Sequence, residues 1–328
     1  MIKKLLAPLA LGIAASLTVG SANANDYILN TASTGGTYHP VGTAIATLSK
    51  IKLLPTEKFS LTAVNSAGSG ANVQALAAGN AQFAIVQGLF GSYAATGTGP
   101  VTEKQENMRS ISMLWQNVEQ FVLANEFVVD GTVADMVAAK GAMAMGKENS
   151  GTLGSNTVLL GGLGVDITSL DLVYAGYGPS VDAMANGQVV GAGLPSGPPT
   201  SAITKLLSTN GDKFTILNVT EEEAEKMDGG RKLWVPYTIA AGTYPGQDAD
   251  IQTIAQPNFL AVNADVDENH VYLLTKAIYE NLPFLQAIHK ATNAMDVNSA
   301  MGGLPLPLHP GAMKYYKEVG LEIPAHLM

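Results

Sequence analysis

A short apolar run, Tyr27-Ile28-Leu29, leads into Ser33-Thr34-Gly35-Gly36-Thr37-Tyr38-His39-Pro40 and then into a run whose Val41, Ile45 and Leu48 share one helical face. This order of strand, small-residue loop and helix constrains the fold more than any other feature, because it recurs. Leu61 to Val64 alternates as a strand, Asn65 to Gly70 is a second loop of small residues, and Val73, Leu76 and Ala77 mark a helix ending at Gly79-Asn80. Phe83 to Val86 reads as a third strand. Strands that alternate with helices through short loops call for a parallel sheet with crossover connections.

The plan returns further along the chain. Ala142 to Met145 reads as a strand, Lys147 to Thr152 as a loop, and Val158, Leu159 and Leu160 as part of a helix. Leu170 to Tyr174 is expected as a strand, Val181 to Ala185 as a helix and Val189 to Leu194 as another strand. Two α/β lobes of matching topology follow, each a mostly parallel sheet flanked by helices. The expected division is 25–117 with 237–328 for the first lobe and 118–236 for the second, with crossings near Ser112 to Asn125 and near Trp234 to Ala241. The final third is helical in pattern around Tyr272, Leu273, Ala277 and Ile278, then turns at Pro305 to Pro310 into a terminal helix through Tyr315 and Tyr316. Thr220 before Glu221-Glu222-Glu223 is an N-cap with acids in the first turn.

Residues 1–24 read as a cleaved signal peptide: Lys3 and Lys4, an apolar run from Leu5 to Val19, then Ala22-Asn23-Ala24 as the cleavage pattern. The expected location is therefore the periplasm. The leader carries two of the 18 basic residues, so the remainder holds 16 against 27 acidic ones, a formal charge of −11. That balance argues against nucleic acid as a partner. The chain has no cysteine, which excludes disulfides, thiol nucleophiles and thiolate metal sites. Only two arginines exist, Arg109 and Arg231, so an anionic ligand must rely on backbone N–H groups, hydroxyls and lysine.

The candidate ligand site is the set of loops. Thr34, Gly35, Gly36, Thr37 and Tyr38 with Ser66 and Ser69 on the first lobe, and Ser150, Gly151 and Thr152 on the second, put hydroxyls and free N–H groups at helix N-termini. Each loop alone reads first as a helix cap; three of them beyond the carboxyl ends of the strands make two jaws. Gln87, closing the third strand, either offers its amide to a ligand or is a buried, satisfied glutamine. Tyr177, Trp115 and Tyr244 are crevice walls or core, and Lys147 and Glu148 are ligand partners or solvated charge. Nothing calls for an enzyme: Ser150 lacks a nucleophile-elbow or S-x-x-K setting, and the five histidines lack metal-ligand spacing. No cofactor and no metal are expected.

Four segments together resemble a known family, the TAXI-type solute receptors of TRAP transporters: Thr34-Gly35-Gly36-Thr37-Tyr38 with Pro40-Val41-Gly42, Ser150-Gly151-Thr152, Ala240 to Gln247, and Pro307 to Ala312 with Tyr315 to Gly320. The resemblance covers nearly the whole chain after the leader. It implies a two-lobed periplasmic binding protein fold of type II that closes over a small organic acid or amino acid of the glutamate, glutamine or 2-oxoglutarate type. It also implies delivery to an integral membrane permease driven by an ion gradient; the receptor itself is expected to be a monomer. The chain departs from the family at Lys147-Glu148-Asn149, where small residues are usual, and at Met113 to Asn117. The alternatives are a sensor subunit that reports the same kind of ligand to a membrane kinase and, more remotely, a serine hydrolase.

Overall fold

A computed structural model describes residues 25–328; the expected signal peptide lies outside the described residues. The first sheet is built from β1 (Asn25–Asn30), β2 (Phe59–Val64), β3 (Phe83–Gln87), β4 (Met108–Val118), β9 (Val235–Ile239) and β10 (Ile251–Asn263), in the order β2-β1-β3-β10-β4 with β9 also paired to β10. The second contains β5 (Phe121–Ala124), β6 (Met143–Ala144), β7 (Gly191–Gly193) and β8 (Phe214–Ile216), ordered β6-β7-β5-β8.

The expected parallel plan holds for most strands, since β1 runs parallel to β2 and β3, and β6 to β7. One strand of each sheet runs the other way: β10 is antiparallel to β3, β4 and β9, and β5 to β7 and β8. β5 is the first strand after the outward crossing, and β10 carries residues of both lobes' cores. The expected strand at Leu170 to Tyr174 is reduced to a bridge between Met143 and Leu172, because its neighbour β6 is two residues long and offers no ladder to extend.

Helices α1 (Tyr38–Lys52), α2 (Leu54–Glu57), α3 (Ser69–Ala77) and α4 (Gly88–Thr96) accompany the first sheet, and α5 (Val133–Ala138), α6 (Gly151–Gly162), α7 (Tyr177–Ala185), α8 (Ser201–Asn210) and α9 (Glu221–Asp228) the second. The chain ends in α10 (Glu268–Glu280), α11 (Leu282–Ile288) and α12 (Pro310–Glu318). Val41, Ile45 and Leu48 of α1 are buried against β1 and β2, as their spacing requires. Leu29, Phe59, Phe83 and Phe259 carry that core through the sheet, and two further clusters fill the second lobe. Thr220 and Glu223 form a reciprocal capping box at α9, and His309 caps α12 by accepting from the Gly311 N–H at 3.2 Å.

Ile239, Tyr244, Ile251 and Ala255 pack in the second lobe's cluster, whereas Phe259 to Val262 pack in the first. We therefore propose that the return between lobes runs within β10, some way after the expected residue 237. The outward crossing is the Glu119-Gln120 step between β4 and β5.

Candidate ligand-binding cleft

Four helices begin at one pocket between the two sheets. Thr37 and Gly68 precede α1 and α3 on the first lobe, Ser150 and Gly176 precede α6 and α7 on the second, and all four residues line it. None of the four helices has an acid in its first turn. Each N-terminus carries a partial positive charge worth about 0.3–1 kcal/mol to a nearby anion, and more when water is excluded. The pocket encloses about 470 Å³ of atom-free space, part of it open to solvent.

Local sequence explains why the backbone turns there. Gly35 has φ +94° and Gly68 φ +124°, conformations that a side chain resists. Gly151 serves close approach instead: a Cβ there would stand 2.5 Å from Gln87 Oε1 and 2.8 Å from Ser69 Oγ, across the interlobe boundary.

The expected residues divide into those that meet at the pocket and those that brace it. Gly36, Thr37 and Tyr38 line it from α1, Ser69 from α3, Ser150, Gly151 and Thr152 from α6, Tyr177 from α7, and Gln87 from the end of β3. Thr34, Gly35, Ser66 and Tyr244 do not line it. Thr34 is exposed, and the Gly35 carbonyl instead accepts from Ser201 Oγ and Ala202 N at 3.0 and 3.1 Å, tying the loop to α8. Ser66 Oγ is engaged with Thr31 O, Asn72 Oδ1 and Gly68 N inside its own lobe. The Tyr244 hydroxyl is buried against Thr200 and Gln120. Trp115 is core, with its ring edge-on to Tyr38.

Several lining groups already have partners. Gln87 Nε2 donates to Gly151 O and Ser155 Oγ, both at 3.0 Å, so its amide hydrogens join the lobes and are not left for a ligand. Thr37 Oγ1 donates to Gly197 O at 2.8 Å, another interlobe bond. Ser150 Oγ accepts from Leu153 N at 3.0 Å as the α6 cap, which leaves its own hydrogen to give. Tyr38 donates to Asn258 Oδ1, and Tyr177 to Pro195 O with Thr152 Oγ1 2.9 Å away. Burial raises the pKa of both phenols, so they stay protonated at neutral pH.

Lys147 is the one charged side chain in the lining. None of the ion pairs among the described residues engages its ammonium, and its stem crosses Gly176, where a Cβ would meet Lys147 Cε at 3.1 Å. Glu148 is exposed and absent from the lining, and both arginines lie elsewhere, bonded to the carbonyls of Glu106 and Asp228. Sequence reading passed over Ser33, Asn117, Gly176 and Ser196 as lining residues. The Gly176 position had a legible signal, the second apolar-run, small-residue, helix succession of the second lobe. Asn117 had none: it depends on the end of β4 lying beside Gln256 of β10.

The chain matches the NMT1-like family over residues 29–320. It belongs to that family. Among solved structures it is similar to MatC from Rhodopseudomonas palustris with bound malate (TM-score 0.53, 14% identity, 82% of this chain and 88% of that one). It is also similar to the binding protein component of an ABC phosphonate transporter from Pseudomonas aeruginosa (0.52, 9%, 80% and 78%) and to the periplasmic binding protein BugD (0.51, 17%, 90% and 93%). At these identities the likeness speaks to the fold, and the NMT1-like chain has the fold of periplasmic binding proteins.

Proposed function

We propose that this NMT1-like chain is an extracytoplasmic receptor that closes its lobes over a small organic acid or amino acid and hands it to a membrane permease of the TRAP type. The observation that carries the reading is the meeting of four acid-free helix N-termini, two from each lobe, at a pocket whose one charge is Lys147. Donors drawn from both lobes make ligand binding and lobe closure one event. The leader expected at residues 1–24 and the similarity to periplasmic binding proteins support an extracytoplasmic place.

The same geometry favours a binder over a hydrolase. Ser150 Oγ serves as a helix cap, and the lining contains no histidine or carboxylate to act as its base. Calorimetry on protein refolded from denaturant, against a panel of small carboxylic acids and amino acids, is the test. Binding of at least one with 1:1 stoichiometry is expected; failure of every compound would overturn the reading.

A further inference from the structure

The charge inventory of the cleft narrows the ligand class, an inference that rests on the receptor reading above. Its lining contains one lysine and no aspartate or glutamate. Four helix N-termini and Lys147 all favour negative charge, and nothing in the lining neutralises an ammonium.

An ammonium brings three donors that need acceptors once it leaves water. Three of the lining carbonyls are already committed: Gly151 O takes Gln87 Nε2, Pro195 O takes the Tyr177 hydroxyl, and Ser196 O takes Val118 N and Gln120 Nε2. Glu119 is buried behind the pocket rather than in its lining, and its Oε1 already accepts from Trp234 Nε1 at 2.8 Å and Gln256 Nε2 at 3.3 Å. One buried side-chain acceptor of the lining has no partner. It is Oδ1 of Asn117, a side chain 2% exposed whose Nδ2 gives a bond to Gln87 Oε1 at 3.3 Å. A neutral acceptor with no carboxylate beside it suits a ligand hydroxyl better than a cation.

Lys147 stands on the second-lobe loop with its stem beside Gly176 and facing Ser33 of the first lobe, a charge additional to the four helix N-termini, so it can pair with a second acidic group while the N-termini hold the first. We infer that the cleft selects a compact organic anion with two acidic groups and no ammonium, and that Lys147 is the residue that sets this specificity.

The test compares glutarate and its three- and four-carbon homologues with glutamate, which adds an ammonium, and with butyrate, which lacks the second carboxylate. Titrations are run on the refolded wild type, Lys147→Gln and Lys147→Arg. The wild type is expected to bind its best diacid at least about tenfold more tightly than either glutamate or butyrate, the scale of a charge-assisted contact. Lys147→Gln should bring the diacid-to-butyrate ratio near unity, and Lys147→Arg should keep most of it. Glutamate or another amino acid binding as tightly as the diacids would overturn the inference while leaving the receptor reading standing. So would a ratio unchanged in Lys147→Gln. Binding of none of these acids or any amino acid would overturn both.

Discussion

Ser150 separates two roles that one side chain performs. Its Oγ accepts the Leu153 N–H as the cap of α6, and in this lining residue the hydroxyl hydrogen remains to be given. Ser150→Asp should keep the cap, since aspartate is as good at that position, and leave stability within about 0.5 kcal/mol, yet its carboxylate should repel an anionic ligand. Ser150→Ala should lose the cap, about 1 kcal/mol in urea unfolding, and weaken binding by about 1–3 kcal/mol. If Ser150→Asp binds as well as wild type, the pocket is not an anion site. Gly151→Ala is the steric counterpart: its Cβ would stand 2.5 Å from Gln87 Oε1, so the lobes should fail to close and affinity should fall at least about tenfold by calorimetry. Ser150, Gly151 and Thr152 were legible because small hydroxyl residues before an apolar helical run signal a cap. The direction of Lys147 was not, because a charged residue in a loop looks the same whether it meets solvent or the opposite lobe.

Among the elements, the strands and helices with short, regular connections were readable, and the long central strand was not. β1, β2 and β3 each alternate or run apolar before a small-residue loop, which suffices to predict them. β10 spans 13 residues but contains Gln256-Pro257-Asn258, which breaks its apolar pattern. The structure shows why proline is tolerated there. Pairing with β9 ends at Ala255 and pairing with β3 begins at Asn258, so on that edge Pro257 falls in the gap where no partner asks for its missing N–H. The same stretch lies behind the site, placing Asn258 opposite both Gln87 and Trp115 and under the Tyr38 hydroxyl. At the rim, Asn149 stands at φ +60° and exchanges an amide bond of 2.8 Å with Gln74 of the other lobe, while its carbonyl accepts Ala71 N at 2.9 Å. Gln74→Ala should therefore speed ligand release several-fold, about 1 kcal/mol of lost latch, with little change in urea stability; stopped-flow release rates equal to wild type would refute that role.

Over the whole molecule, the two lobes meet at crossings that surround Glu119. Burial pushes its carboxyl up to about 7, against hydrogen bonds from Trp234, Gln256 and Ser155 that favour the ionised form. In the unfolded chain this group loses its proton near 4.5. Between those two values the folded state holds a proton that the unfolded state has released, so the Glu119 contribution falls as pH rises through that window, by about 3 kcal/mol in all. Glu119→Gln should match wild type at pH 5 and exceed it at pH 8 in urea unfolding; equal curves at both would show that the carboxyl is not strained by burial. The two-lobed plan was legible because the strand-loop-helix order repeats. The contacts that bind lobe to lobe, through Gln87, Thr37 and Gly35, join residues far apart in sequence and follow only from the packed fold. The central claim is that an organic anion is gripped between those lobes. A crystal structure grown with the tightest-binding acid tests it most directly. Acid oxygens should lie about 3 Å from backbone N–H groups at the starts of helices from both lobes, with Lys147 on the same ligand. A ligand bound elsewhere, or held by one lobe alone, would contradict it.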